Sequence, residues 1–450
     1  MFGTVGPLLV FAALSLIPAL LVYRVRRDVI DPRVLFPVLY FLLTSGPVLW
    51  HLSGGAYYPG IEVEQVPDVL LSCASGIVAF TIGASLVLWR SSRGGRAGGL
   101  QHDPGIMQVA RVVLVVASVT LLLAYGYVSW RMKQASAGQL KTAMITAGGP
   151  ELARWYYFLS AGLFVASTAL VALDSYLAKG RRSPIILGFL GLYLLVQTWN
   201  DEREVALVLG AWILLNTRYW TRRFVLSLIL GVSVFVATIA IVRAGQTSAD
   251  RAKLMEDQDI SDIAESLLTR SSSNLFVFSK ILVWVPDEEP YRWGSTYADS
   301  VLSFFPGASD ERKRALSDWF KSRYAPGSSS AYGFAMDAEA FMNFGWVGPP
   351  LVFFFWGALL GWLYARARRP GAGWFNAFLW VLTTSYSIFA VRADSRMLFK
   401  MVGYGLVGGS LVLMISALLA GSARRALARR RGGSTAPPAP ATSGAKSGAS

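Results

Sequence analysis

About eleven apolar runs, separated by short charged stretches, set the pattern of this chain: 7–23, 34–52, 69–89, 109–130, 155–178, 184–199, 205–215, 224–242, 346–364, 374–390 and 397–419. Most approach the roughly 20 residues that a helix needs to cross a bilayer. Basic clusters follow every second run: Arg24 to Arg27, Arg90 to Arg96, Lys179 to Arg182, Arg218 to Arg223, Arg366 to Arg369 and Arg424 to Arg431. Such alternation marks the cytoplasmic ends of spans. The pattern predicts an all-α, polytopic integral membrane protein with an outer N-terminus and a cytoplasmic C-terminus. One large outer region, 243–344, interrupts a transmembrane domain of residues 1–431, and the Gly, Ser, Ala and Pro content of 432–450 predicts a disordered tail.

The outer region carries helical signals of its own. Ile260, Ile263, Ala264, Leu267 and Leu268 recur at helical spacing. Ser309 can cap a second helix that presents Leu316, Trp319 and Phe320 on one face. These helices either lie on the outer membrane surface or pack into a small cap. The loop 53–68 carries Glu62 and Glu64 and no Lys or Arg, as suits the outer side.

Composition narrows the class. The chain is 54% hydrophobic and 15% charged, whereas about a quarter of the residues in soluble domains are charged. A net charge of +15 would suit nucleic acid, but the basic residues are dispersed between apolar runs, and topology accounts for them. Cys73 stands alone in an apolar run and reads as an inert small hydrophobe. Two histidines, His51 and His102, leave little for metal chemistry. The N-terminus lacks the basic start of a cleavable signal peptide. Without a visible internal repeat, and with spans nearly free of charge, a transporter is disfavoured.

Candidate chemistry gathers at the outer span ends. Arg203 lies in the charged turn 200–204 between two short apolar runs, Arg243 ends a run, and Arg392 and Arg396 flank the last outer turn. Guanidinium groups grip phosphate oxygens bidentately, so the set suits a cradle for a lipid pyrophosphate. Snorkelling and pairing, such as Arg396 with Asp394, is the plainer alternative. Glu339, just before a span, can deprotonate a hydroxyl; it can equally be a solvated charge before a helix. The glycines that follow it suit a turn and close helix packing. The acidic residues Asp257 and Asp259 resemble a metal pair but suit a helix N-terminus as well, and so do Asp287, Glu288 and Glu289.

The run Gly294-Ser295-Thr296-Tyr297, then Phe305-Pro306-Gly307, then Glu339 and Asn343-Phe344-Gly345 with Gly348, resembles the oligosaccharide repeat-unit polymerases (Wzy-type, O-antigen polymerase-like). The resemblance covers roughly 197–401; the preceding half matches in topology alone. It implies a glycosyltransferase of the bacterial inner membrane that polymerises lipid-pyrophosphate-linked repeat units at the outer face. It implies Glu339, Arg203 and Arg392 as catalytic residues, with substrate contacts also at Arg243, Arg396, Tyr297 and Asn343. Donor and acceptor would be polyprenyl-pyrophosphate-linked oligosaccharides, with flippase and chain-length regulator proteins as partners and neither metal nor other cofactor. The similar ligases use an outer-loop histidine, and this outer region has none. A flippase, or a transferase using polyprenyl-phosphate monosaccharides with an acid among Glu62, Glu64 and Asp68, are the alternatives; a non-catalytic envelope partner is a third.

Overall fold

A computed structural model of the chain describes residues 2–57, 60–91, 103–135, 141–179, 181, 183–200, 204–217, 219–221, 223–224, 226–228, 230–231, 272–303, 315–324, 332–369, 371–390 and 394–432. The described residues are helical, without strands. The helices are α1 Phe2–Arg26, α2 Pro32–Leu52, α3 Val66–Ser91, α4 Pro104–Ala135, α5 Lys141–Ala178, α6 Pro184–Trp199, α7 Glu204–Asn216, α8 Ser272–Trp284, α9 Ser295–Leu302, α10 Leu316–Tyr324, α11 Met336–Phe344, α12 Gly348–Arg368, α13 Trp374–Ala390 and α14 Ser395–Gly432. Among the described residues, seven helices are long and apolar enough to cross a membrane. This is a polytopic membrane architecture.

Local chemistry sets many of the boundaries. Prolines open α2, α4, α6 and α12, where a missing N–H costs no helical bond and the fixed φ fits. Asp31 caps α2 by accepting from the Arg33 N–H at 3.0 Å. Helices α4 and α5 extend beyond the apolar runs 109–130 and 155–178. Helix α4 runs on to Ala135, and α5 begins at Lys141, breaking at Gly149 with φ 75°. Apolar pattern marks where a helix leaves lipid, but the backbone bonds can continue into the polar layer.

Helices α1, α2, α3 and α12 form one packed group; α4, α5, α7, α13 and α14 form a second, joined to the first through α12 against α13. The tightest seam lies between α3 and α12. A Cβ on Gly83 would stand 2.1 Å from the Phe354 carbonyl oxygen, and one on Gly357 would stand 2.1 Å from that of Phe80. Small residues let two backbones touch where lipid supplies no hydrophobic drive between helices. Gly357→Val should therefore cost about 3 kcal/mol, the upper end of the overpacking range, read as a lower melting temperature of the purified protein. An unchanged melt would mean that the helices are not interlocked there. Beside the seam, Phe36 stacks on Phe80 at 4.3 Å between ring centroids.

The spans are less free of charge than the sequence suggested. Asp174, 1% exposed on α5, pairs with Arg111 of α4 at 2.8 Å. Charges counted one by one look too costly for lipid; two that meet neutralise each other, which the linear pattern does not reveal.

Helices α8 and α10 and the residues leading into α11 pack on one another. Phe320 on α10 lies edge-on to Phe276 at 5.7 Å and near Trp284 at 5.6 Å and Phe334 at 6.5 Å. The face of Leu316, Trp319 and Phe320 thus packs against α8 and the residues before α11. This helix starts at Leu316, and the expected cap Ser309 lies outside the described residues, as do the helix around Ile260 to Leu268 and most of the run 224–242. Glu62 pairs with Lys280, and its backbone N–H meets the Ser279 hydroxyl at 3.3 Å, so the loop after α2 docks on α8.

Candidate functional site

The short helix α11 stands at the start of α12. Gly345, with φ 60°, ends it in the left-handed region, which L residues with a Cβ rarely adopt. At Gly348 a Cβ would stand 2.0 Å from the Ala340 carbonyl oxygen, so α12 folds back hard against α11. The glycines therefore have a complete structural explanation. Asn343 has one too: its side-chain oxygen accepts from the Gly294 N–H at 2.8 Å, and its amide donates to the Thr296 hydroxyl at 2.7 Å and to the Glu339 carbonyl at 2.8 Å. It pins the start of α9 to α11.

That arrangement encloses Glu339, which is 0% exposed. Its Oε1 accepts from the Thr296 hydroxyl at 2.7 Å and from the Ser395 hydroxyl at 2.7 Å; its Oε2 accepts from the Ser395 N–H at 2.6 Å. Ser300 extends the chain, with its hydroxyl 3.1 Å from that of Ser395. A buried carboxylate needs such partners, and here they come from two other elements, α9 and the start of α14. Glu339 is thus no solvated charge before a helix.

Ser395 and Tyr297 connect this network to a cavity of about 410 Å³ between α12 and α14. Its other walls are apolar, among them Leu351, Phe355, Trp356 and Phe399. Phe355 is 64% exposed and Leu351 41% exposed, so exposed apolar side chains border the cavity. The Tyr297 hydroxyl is buried at the wall without a hydrogen-bond partner, and its ring lies parallel to Phe344 at 6.3 Å.

Burial, reinforced by the negative charges of Glu339 and Asp337, pushes the Tyr297 phenol well above its ordinary range. The folded protein keeps this proton where an unfolded tyrosine, near pH 10, releases it. Stability is then fully present below about pH 10 and falls as pH rises beyond it. Tyr297→Phe should flatten that alkaline loss in melting curves recorded from pH 8 to 11. An identical loss in both proteins would assign it elsewhere.

The neighbouring Asp337 faces the other way. Its Oδ2 accepts from the Tyr40 hydroxyl at 2.5 Å and the Cys73 thiol at 3.1 Å, tying α11 to α2 and α3. Cys73 is therefore a hydrogen-bond donor to a buried carboxylate, beyond the inert hydrophobe that the sequence suggested.

Arg396 is 7% exposed, and the carboxylates of Asp394, Asp299, Asp318 and Glu339 act on its charge. Asp394 itself accepts from the Leu316 N–H at 3.0 Å, which secures the start of α10. Arg203, Arg243 and Arg392 lie outside the described residues, as do Asp257 and Asp259. Their chain neighbours are described. Glu204 accepts from the Ser160 hydroxyl at 3.0 Å and from the Gln197 amide at 3.4 Å. Its charge also reaches Tyr386, one turn before the end of α13. The segment after Arg203 thus abuts the helix that leads to Arg392, and Ser395, three residues beyond Arg392, binds Glu339.

Sequence reasoning missed Thr296 and Ser395 as partners of Glu339. Hydroxyl residues carry little linear signal, although both stand in stretches already singled out. Of the other acidic candidates, Glu288 and Glu289 pair with Arg323 at 3.2 and 2.6 Å. Among the described residues no group of three or more His, Cys, Asp or Glu is placed to hold a metal. Compared with known protein families, with curated proteins and with solved structures, the chain finds no match.

Proposed function

We propose that this chain is a membrane glycosyltransferase that polymerises lipid-pyrophosphate-linked oligosaccharide repeat units on the outer face of the bacterial inner membrane. The observation that carries the reading is the apolar cavity, bordered by exposed side chains, that is lined also by Tyr297 and Ser395, with Glu339 bonded to Ser395. A substrate with a long hydrocarbon tail and a polar head fits such a cavity; a soluble sugar nucleotide does not. The fuller topology belongs to the same proposal: eleven spans, an outer N-terminus, and α8 to α11 as part of the outer region.

The chemistry follows from this placement. Nucleotide sugars are cytoplasmic, so a transferase acting outside needs a lipid-activated donor. Its diphosphate is already a good leaving group. Arg203, Arg243 and Arg392 are assigned to hold the charge that develops as the bond from the anomeric carbon to the diphosphate breaks. The acceptor hydroxyl forms the new bond to that carbon. Its proton passes to the Ser395 oxygen while the Ser395 proton moves to Glu339, the direction in which that hydrogen bond already points. Arg396, held among carboxylates, orients the start of α14 instead of gripping phosphate. Tyr297 and Asn343 border the glycan end, the first by its free phenol and the second by holding α9. The donor and acceptor lipids, the bilayer, a flippase and a chain-length regulator are the partners; nucleic acid is not.

Since guanidinium groups supply the charge stabilisation, activity should survive EDTA. Loss on chelation with rescue by manganese would bring Asp257 and Asp259 into the mechanism. The flippase alternative is separated in cells that lack this chain. A polymerase defect leaves single lipid-linked units on the outer leaflet, accessible to an impermeant glycosidase. Units protected from that enzyme until the membrane is opened would reject polymerisation in favour of transport. Glu62, on which the monosaccharide-transferase alternative leans, is already engaged by Lys280.

A further inference from the structure

A second cavity, of about 390 Å³, lies at the far end of α12. The 21 residues of α12 separate it from the Glu339 end by about 30 Å at 1.5 Å per residue. It is bounded by the ends of α5 and α7, by the turn between α12 and α13, and by Ile30 before α2. The basic clusters at 24–27, 179–182, 218–223 and 366–369 all belong to these chain ends. On the topology proposed above, this is the cytosolic end.

Its uncommitted side-chain groups are donors. Arg369 lines the cavity, makes no ion pair among the described residues, and buries its Nε–H without a partner. Trp380, 2% exposed, also lines the cavity and has a buried Nε1–H without a partner. Ser175 accepts from the Asn216 amide at 2.8 Å, which leaves its own O–H to donate. Arg368, which also lines the cavity, has its charge paired: Asp28 holds its guanidinium at 2.7 Å, and the Tyr364 hydroxyl shares that carboxylate at 2.6 Å. Buried donors without acceptors are costly, and an anion in the cavity would offer them acceptors. Gly371 and Gly373 in the adjoining turn leave the wall without bulk.

We infer that this cavity is a phosphate-binding site, distinct from the outer site, that takes the head group of an anionic phospholipid from the cytosolic leaflet. Basic pockets between spans on that side hold lipid phosphates in this way. Free inorganic phosphate offers the same oxygens, so the two sources must be separated by experiment.

The full-length protein in detergent can be examined by native mass spectrometry with added phosphatidylglycerol, phosphatidylcholine or inorganic phosphate. Expected is one retained phosphatidylglycerol and no retained phosphatidylcholine. Arg369→Gln should weaken retention roughly tenfold, the weight of one charge-assisted hydrogen bond. Trp380→Phe keeps the ring's bulk and should weaken it several-fold, so it reads the site even if the first variant folds poorly. Retention of inorganic phosphate alone, sensitive to the same substitutions, would support the anion site with a soluble ligand. Absence of any bound anion, or equal retention in both variants and wild type, would overturn it.

Discussion

Glu339→Gln should stop chain growth without preventing the lipid-linked unit from binding. Glutamine has the shape of glutamate, and the pocket can receive it. With its amide oxygen toward the Ser395 N–H, now met at 2.6 Å by Oε2, its NH2 faces the hydroxyls of Thr296 and Ser395. Both hydroxyls can rotate to accept, so the fold should persist. What disappears is the acceptor for a proton. Loss of a positioned base lowers the chemical step by roughly 10²–10⁴-fold. Ser395→Ala should cause a smaller loss, because it removes the link between Glu339 and the cavity but leaves the carboxylate. Single-turnover rates and separate lipid binding would distinguish the two. If both variants turned over at the wild-type rate, Glu339 would be a structural tie between α9, α11 and α14 and no more. Equal losses traced to binding alone would likewise end the base assignment.

Arg203→Ala and Arg392→Ala should each abolish long polymer at unchanged protein level. A positioned donor that meets developing negative charge contributes about 10²–10³-fold in rate. Lysine at either position should restore part of the activity, because it keeps the charge but not the bidentate fork. Of the described residues nearby in the chain, Glu204 acts on Tyr386 and Ser395 meets Glu339. Wild-type polymer in both alanine variants would remove these arginines from the chemistry. Cross-linking of cysteines placed at 203 and 392 provides a geometric check. Labelling of the two from opposite sides of the membrane would break the cradle apart.

Much of the helical architecture was legible because lipid imposes a strict pattern. Runs near span length and clustered arginines mark helices and their ends, whatever packs against them. The packing itself left fainter marks. Gly83 and Gly357 look like ordinary small residues until their backbones meet across α3 and α12. The pair of Asp174 with Arg111 joins positions 63 residues apart by subtraction of their numbers, and no local window contains both. The site followed the same division. Glu339 and Asn343 could be picked out by their place before a span, but the reason for that place lay in Thr296 and Ser395, on other elements. The phenol of Tyr297 gained its interest only from being left without a partner against an apolar cavity. Even the plain explanation for Gly345 and Gly348, a left-handed turn and a close approach, needed coordinates to separate it from chemistry.

The most direct measurement is an assay of the purified protein with lipid-pyrophosphate-linked repeat units, with the products separated on a gel. Expected is a ladder that climbs by whole repeat units in the presence of EDTA and collapses to the starting unit with Glu339→Gln. Addition of one sugar and no further growth, or an unchanged substrate from folded wild-type protein, would contradict polymerisation at this site.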